Sequence, residues 1–297
     1  MAKIFFEDAD ELLDIRYDKV FKAVFTRNSP ESIGALSALV SALTGKELAV
    51  IEIIANEPPA ESLSDRQIRF DINCRAKTGE LINIEMNISS HSFNPARFEY
   101  HTARLFTCQD IRGIEKDYDD LKETYQITIL TRQRIFQDDS YLHNFEYYDP
   151  ENQISLSGKT RIVTIELSKL EKVIEKPIEK MNIKEYWAVY FGYLTDKSKR
   201  TKINKILEKE EGIAMASEVL LTISRDEDEQ ILLMSEYKYQ LDKQDMLVTA
   251  KREGLQQGLE QGLQQGLEQG RCSGQQEIID LLKSGKSPDE IIRDYQN

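Results

Sequence analysis

The 297-residue chain is poor in the residues that form disulfides or bind zinc, with three cysteines and three histidines. Cys74, Cys108 and Cys272 are widely separated, and neither they nor the histidines complete a zinc-binding spacing. We therefore expect free thiols and no structural zinc. No apolar run approaches the roughly 18 residues of a membrane span, and residues 1–11 lack the basic start and apolar core of a signal peptide. These absences predict a cytoplasmic protein with no membrane partner.

Positive charge is also scarce, because the formal net charge is −13 at pH 7. Nonspecific affinity for DNA comes mainly from Lys and Arg side chains that contact phosphates, so this balance argues against a simple nucleic-acid-binding surface. A cluster of basic residues on one face, or a divalent cation among carboxylates, would relieve that conflict. The hydrophobic content of 40% predicts a globular protein with one sizeable core and a smaller appendage.

Hydrophobic periodicity predicts a mixed sheet flanked by helices. The clearest signal is a β-hairpin, because two alternating apolar and polar runs flank a short turn that contains Gly79. Other segments have helical spacing or short β-rich runs. The predicted helices cover residues 14–43 (two helices) and 95–111, and the predicted strands cover residues 49–54, 68–74, 81–88, 125–130 and 161–167. This order of elements indicates an α/β fold.

The hairpin places two acids on its polar side, Asp71 in the first strand and Glu85 in the second. A three-residue turn centred on Thr78 sets them directly opposite, with Cβ atoms about 5 Å apart, whereas a two-residue turn makes them diagonal neighbours. In either register they can approach one cation, and oxygen-only ligands favour magnesium or manganese over zinc. The alternative is an ordinary amphipathic hairpin with one wet face.

The composition changes twice after the sheet. The β pattern ends near residue 170, which predicts an α/β domain at 1–170, a helical region at 171–253 and a tail at 254–297. In the tail, five glycines recur every four residues from Gly254 to Gly270, and four of them precede a leucine. Five glycines disfavour an isolated helix by about 5 kcal/mol, yet small residues allow a partner helix to approach closely. Self-association and a flexible tether both remain open.

Several short motifs share an order and spacing with a known family. They are YDKVFK at 17–22, RFD at 69–71, GELINIEM at 79–86 and the stretch at 113–118, followed by the Gly-Leu-Gln-Gln tail. Together they resemble the Rpn group of recombination-promoting nucleases, also called PD-(D/E)XK family transposases. The resemblance covers about residues 10–170 and implies a restriction-endonuclease-like PD-(D/E)XK core, followed by the helical region and the repeat tail.

The resemblance also implies the site. Asp71 and Glu85 would hold Mg²⁺, or Mn²⁺, with the Met86 carbonyl as a further ligand. Asp18 matches an auxiliary acid, and its alternative is an i,i+4 ion pair with Lys22.

Asn87 stands where the wider superfamily has Lys and where this group usually has Gln. A neutral amide can orient water, whereas Lys also stabilises the attacking hydroxide and the developing negative charge. We therefore expect Asn87 to be a catalytic position whose chemistry is weakened, with metal binding retained.

The resulting hypothesis is a magnesium-dependent DNA endonuclease associated with mobile DNA and recombination, with DNA as its partner and a homo-oligomeric state. One alternative is a catalytically degenerate nuclease fold that binds DNA or a protein partner. The other is an oligomerising assembly protein, in which the Gly-Leu repeats supply the function and the hairpin face is merely wet.

Overall fold

The computed structural model describes residues 4–54, 71–87, 94–111, 115–156 and 158–295. The chain forms two compact units, Met1–Ser235 and Glu236–Asn297. Within the described segments, no helix is both long enough and apolar enough to cross a membrane.

The described elements begin with two helices, continue with strands that are interrupted by one helix, and end with a run of helices. The helices are α1 (Asp18–Phe25), α2 (Pro30–Thr44), α3 (Pro95–Thr107), α4 (Glu171–Ile174), α5 (Ile183–Tyr193), α6 (Arg200–Lys209), α7 (Glu211–Arg225), α8 (Glu227–Lys283) and α9 (Pro288–Asp294). The strands are β1 (Val50–Ile54), β2 (Ile72–Ala76), β3 (Leu81–Asn87), β4 (Thr124–Leu130), β5 (Leu142–Phe145), β6 (Tyr148–Asp149), β7 (Ile154–Ser155) and β8 (Thr160–Glu166).

Six strands form a mixed sheet in the order β1-β2-β3-β4-β8-β5. β1, β2 and β3 are antiparallel neighbours, β3, β4 and β8 run parallel, and β5 is an antiparallel edge strand. In the hairpin, Ile72 pairs with Ile84 and Cys74 with Ile82, which is the register predicted for a three-residue turn. Gly79 in that turn has a φ of 101°, a conformation that side chains other than glycine rarely adopt.

The predicted mixed sheet flanked by helices is confirmed, with two differences in detail. β5, β6 and β7 lie in the connection between β4 and β8, where the sequence pattern gave no strand. The start of the predicted first hairpin strand, residues 68–70, lies outside the described residues.

The two faces of the sheet differ in polarity. One face belongs to the main hydrophobic core, together with buried side chains of α1, α2 and α5. The opposite face carries buried polar side chains and is contacted by α3. Successive side chains of a strand point to opposite faces, so the polar residues of the second face alternate with aliphatic residues of the core face. The polar residues are Asn83, Glu85, Gln126, Thr128 and Thr164, and the aliphatic ones are Ile82, Ile84, Ile127, Val163 and Ile165. Helix α3 therefore covers a polar surface, which we call the polar face.

The helices after residue 170 complete the core on the apolar face. Trp187 and Phe191 of α5 pack against Phe25 of α1, with ring centroids 6.1 and 6.3 Å apart, and α7 contacts both α1 and α2. The predicted helical region thus contributes to the same core as the sheet. The domain boundaries at residues 170 and 253 stay predictions.

The second unit contains most of α8 and the whole of α9. The repeat from Gly254 to Gly270 is helical, and a Cβ built on any of its glycines meets no atom within 4 Å. The leucines that follow the glycines are 66–76% exposed. They are Leu255, Leu259, Leu263 and Leu267. Ser287 caps α9 by accepting a hydrogen bond from the Glu290 amide, and Pro288 is the first residue of the helix.

Candidate active site

The two predicted metal-binding acids lie at the same end of the hairpin. β2 and β3 pair up to Ile72 and Ile84, and the next step of that register sets Asp71 across from Glu85. The Asp71 carboxylate reaches over to β3, where its Oδ2 accepts a hydrogen bond of 3.1 Å from the Met86 amide. Glu85 is buried, with 3% of its surface exposed. The hairpin therefore brings the two acids together at its open end.

Asp71 lies among other charged groups. Its Oδ1 is 3.3 Å from the Lys22 ammonium of α1. Burial raises the pKa of Asp71, the charge of Asp18 raises it further, and Glu85 adds to this effect; Lys22 and the Met86 amide act in the opposite direction. The resulting pKa is about 7, well above the ordinary value of 3.8. The surroundings of Asp71 thus favour its protonated form over its ionised form.

Lys22 links Asp71 to Asp18. Its ammonium nitrogen is 2.8 Å from Asp18 Oδ1 and 3.3 Å from Asp71 Oδ1. Burial acts to lower the pKa of Lys22, but Asp71 and Asp18 outweigh burial and raise it, so this side chain keeps its charge. The i,i+4 pair that we considered as the alternative role for Asp18 is present. This pair is compatible with a second role for Asp18, because Lys22 also contacts Asp71.

Glu85 is held from the opposite side by α3. His101 Nδ1 lies 2.6 Å from Glu85 Oε1, and both side chains are buried. The Arg97 guanidinium, one helical turn earlier, is 3.8 Å from Glu85 Oε2 and is 55% exposed. A buried carboxylate requires such partners, because desolvation of an unpaired charge is costly. Helix α3 thus supplies two groups that stabilise Glu85.

A chain of polar contacts extends from Glu85 along the polar face. The Asn83 amide donates to Glu85 Oε1 at 3.3 Å and to Gln126 Oε1 at 2.7 Å, and Gln126 Nε2 donates to Thr128 Oγ1 at 3.2 Å. Because Asn83 and Gln126 are fully buried, this network fixes the orientation of the carboxylate.

The other predicted site residues lie close by on β3. Met86 contributes its backbone amide to Asp71, and a role for its carbonyl in metal binding stays a prediction. Asn87 ends β3, and its carbonyl accepts hydrogen bonds from the amide and hydroxyl of Thr131 at 3.0 and 3.1 Å. It carries no charge, so it cannot neutralise the acids.

Among the described residues, the cations that approach Asp71 and Glu85 lie on helices α1 and α3. Arg75, on β2, is 3.5 Å from Glu52 of β1. Arg69, two residues before Asp71, lies outside the described residues. Arg97, on α3, approaches Glu85. The sequence had also left His101 unassigned, because a single histidine on α3 has no sequence neighbour that reveals its contact with a strand. Its position four residues after Arg97 on one face of α3 was the available signal.

The donor set suits a hard divalent cation. Three carboxylates influence one another at this point, because burial and then the charges of Asp18 and Glu85 raise the pKa of Asp71. In the parts of the chain that the structure describes, no three His, Cys, Asp or Glu side chains form a ready cluster for a metal ion. Magnesium is commonly bound through only one or two carboxylates, with water and substrate phosphate completing its coordination. Asp71 and Glu85 fit that pattern.

A mixed sheet flanked by helices, with paired acids at the end of a central hairpin, defines an α/β fold of the PD-(D/E)XK nuclease type. The model of the PD-(D/E)XK nuclease family transposases matches residues 15–250, and the chain belongs to that family. The match extends through the helical region, well past residue 170, where the recognisable motifs end. Neither a curated protein nor a solved structure matches the chain.

Proposed function

We propose that this protein is a divalent-metal-dependent endonuclease that hydrolyses DNA phosphodiesters, with Mg²⁺ as its ion, and that it acts in recombination of mobile DNA. Membership of a nuclease family supports this proposal. The observation that carries it is the convergence of Asp71 and Glu85 at the hairpin end, with the pKa of Asp71 raised to about 7 by burial and by neighbouring acids. Lys22 is shared by Asp18 and Asp71, so these two acids carry one more negative charge than a neutral ion pair would.

The residues have distinct roles in the proposal. Asp71 and Glu85 hold the ion, which would polarise the phosphate and lower the pKa of water. His101 and Asn83 hold the Glu85 carboxylate in place, and the Met86 amide does the same for Asp71. Asn87 orients the attacking water with its amide. Arg97, exposed on α3, is placed to meet a phosphate of the bound strand.

A plasmid-nicking assay tests the proposal. The wild-type protein is expected to convert supercoiled DNA to the nicked form with Mg²⁺ and not with EDTA. Asp71→Ala and Glu85→Ala are each expected to reduce nicking to the EDTA background. Asp139→Ala is the matched control, because this acid is 78% exposed and pairs with Lys172 on the surface. Nicking that survives both site substitutions contradicts the proposal.

A second candidate is a nuclease fold that binds DNA without cutting it. Asn87 favours this candidate, because β3 offers no cation at the position where the superfamily has Lys. The net charge of −13 opposes DNA binding of either kind unless the ion neutralises the site. Retarded migration of DNA in a gel, without nicking in Mg²⁺ or Mn²⁺, is the result that would select this candidate.

Self-association through the repeat supports either function. Four exposed leucines recur every four residues on α8 beside glycines that leave open space, and this pattern allows another helix to approach closely. The mass of the full chain in solution tests the point. If the exposed leucines join copies of the chain, replacing Leu259 and Leu263 by Ser is expected to lower that mass. An unchanged mass would exclude these leucines as the cause of self-association.

A further inference from the structure

The site lacks a cation on β3 but receives one from another element. Phosphodiester hydrolysis develops negative charge on the phosphoryl oxygens and on the leaving oxygen, and a fixed positive charge at that point lowers the barrier. Asn87 cannot supply it, because its side chain is a neutral amide. Lys22, from α1, places its ammonium nitrogen 3.3 Å from Asp71 Oδ1.

The packing of α1 fixes the position of Lys22. The preceding residue, Phe21, is fully buried and packs against Phe25 and Phe191, with ring centroids 4.9 and 6.0 Å apart. The contact with Asp18, at 2.8 Å one turn earlier, directs the side chain. Only 26% of the Lys22 side chain is exposed. The ammonium is therefore held at the acids by a helix that belongs to the core.

The other cations nearby are less suited to this role. Arg97 approaches Glu85 from α3 at 3.8 Å and is 55% exposed, so its guanidinium is free to follow a phosphate of the bound strand. Arg75 pairs with Glu52 at 3.5 Å on the outer strands of the sheet. Lys19 shares α1 with Lys22 but lies on its exposed side. Lys22 alone of these four contacts Asp71 in the described structure.

We propose that Lys22 is the catalytic lysine of this protein, delivered by α1 in place of the lysine that Asn87 replaces on β3. This inference rests on the proposed nuclease function and names a residue for it. When a water oxygen bonds to phosphorus and the P–O bond to the leaving group breaks, Lys22 donates hydrogen bonds to the attacking water and to a phosphoryl oxygen. Of the two water protons, one goes to the leaving alkoxide and the other to solvent. The products are a phosphate monoester and an alcohol, and Lys22 stays protonated throughout.

Asp18 acquires a definite task in this scheme. It orients the ammonium through the i,i+4 contact and keeps it beside Asp71 when Asp71 engages the ion. Asp18 is thus a positioning residue, and it need not bind the metal itself. Loss of its charge is expected to weaken catalysis less than loss of Lys22.

The test compares four full-length variants in the Mg²⁺ nicking assay. Lys22→Met removes the charge with little change in side-chain size and is expected to slow nicking about 10²- to 10³-fold. Lys22→Arg keeps the charge and is expected to retain part of the rate. Lys19→Met makes the same change of net charge on the same helix and is expected to cut like the wild type. Lys22→Met combined with Asn87→Lys restores a lysine at the superfamily position and is expected to regain activity.

A binding measurement separates catalysis from structure. Mn²⁺ affinity, measured by calorimetry without DNA, is expected to be unchanged or tighter in Lys22→Met, because the ammonium no longer competes for Asp71. Lost Mn²⁺ binding in both Lys22→Met and Lys22→Arg would make Lys22 a support for Asp71 and overturn the inference. Wild-type rates in Lys22→Met overturn it too, while leaving the nuclease proposal intact. A wild-type protein that does not cut with Mg²⁺ or Mn²⁺ overturns both.

Discussion

The two faces of the central sheet are built on opposite principles. The face toward α1, α2 and α5 carries aliphatic side chains that are almost wholly buried, and its neighbours are aromatic rings of the core. The face under α3 buries amides, hydroxyls and a carboxylate instead. One layer of backbone thus separates a hydrophobic core from a polar network.

The difference shows how one sheet serves stability and chemistry together. Burial of apolar surface on the first face contributes most of the free energy of folding. The second face contributes less, since each buried polar group must exchange hydrogen bonds with water for hydrogen bonds within the protein. Its value lies in orientation, because Asn83 and His101 hold Glu85 where the acids converge. Substitutions on the two faces should therefore separate stability from activity.

The largest expected contrast lies between adjacent residues of β3. Ile84→Ala opens a cavity on the apolar face and is expected to lower the free energy of unfolding by about 2–5 kcal/mol, with the folded fraction still active. Glu85→Gln keeps the shape on the polar face and an oxygen that can accept from His101, so it is expected to abolish nicking at a smaller cost in stability than Ile84→Ala. Urea denaturation and the nicking assay measure the two effects. The comparison is contradicted if Glu85→Gln lowers the free energy of unfolding as much as Ile84→Ala does.

The next contrast concerns pH. The folded protein holds the Asp71 proton more tightly than the unfolded chain does, since the pKa of Asp71 rises from 3.8 to about 7. The protonated Asp71 therefore stabilises the folded protein fully below about pH 4, and this stabilisation is lost as the pH rises toward 7. The free energy of unfolding then falls by at most about 1.4 kcal/mol per pH unit. Asp71→Asn is expected to remove that slope.

Denaturation midpoints of wild type and Asp71→Asn, measured between about pH 5 and 8, check this expectation. The advantage of the variant should grow up to about pH 7 and then level off. Saturating Mg²⁺ should reduce the slope in the wild type, because a bound cation favours the ionised carboxylate. Parallel curves for the two proteins would show that Asp71 titrates normally.

The fold was largely predictable because its signals are local. The alternation in β2 and β3 and the glycine turn indicated the hairpin, and the structure has the register of a three-residue turn. The short strands β5, β6 and β7 were missed, since two to four residues carry too little periodicity to stand out in a tyrosine- and aspartate-rich connection. Helical pattern after residue 170 was visible. Its packing on α1 and α2 was not, because that depends on contacts distant in sequence.

The candidate site was predictable only in part, for the same reason. Asp71 and Glu85 belong to one hairpin, so their spacing indicated that they meet. Lys22 reaches Asp71 and His101 reaches Glu85, from helices on opposite faces of the sheet, and no local pattern joins a helix residue to a strand more than ten positions away. The i,i+4 pair of Lys22 with Asp18, which the sequence offered as one of two roles for Asp18, is present. The additional contact with Asp71 required the packing of α1.

A smaller effect is expected at the α3 contact on Glu85. His101→Ala removes a hydrogen bond to a buried carboxylate and is expected to lower the free energy of unfolding by about 1.5–3 kcal/mol. It should also weaken Mn²⁺ affinity, because Glu85 loses its fixed orientation. His101→Asn retains a hydrogen-bond donor near the same position, so it is expected to recover part of the stability and part of the Mn²⁺ affinity. Calorimetry and urea denaturation test these expectations, and an unchanged Mn²⁺ affinity in His101→Ala would show that His101 serves stability alone.

The smallest effect is expected where a charged residue lies on the hairpin but outside the acid group. Arg75 occupies the same side of β2 as Asp71, yet its guanidinium pairs with Glu52 at 3.5 Å, and both side chains are about half exposed. Exposed pairs of this kind contribute about 0–1 kcal/mol. Arg75→Gln is therefore expected to leave the nicking rate and the denaturation midpoint close to those of the wild type. Arg97→Gln makes the same change of net charge beside Glu85 and is expected to weaken DNA cleavage. Equal effects of the two substitutions on cleavage would mean that the arginines act through net charge and not through their positions.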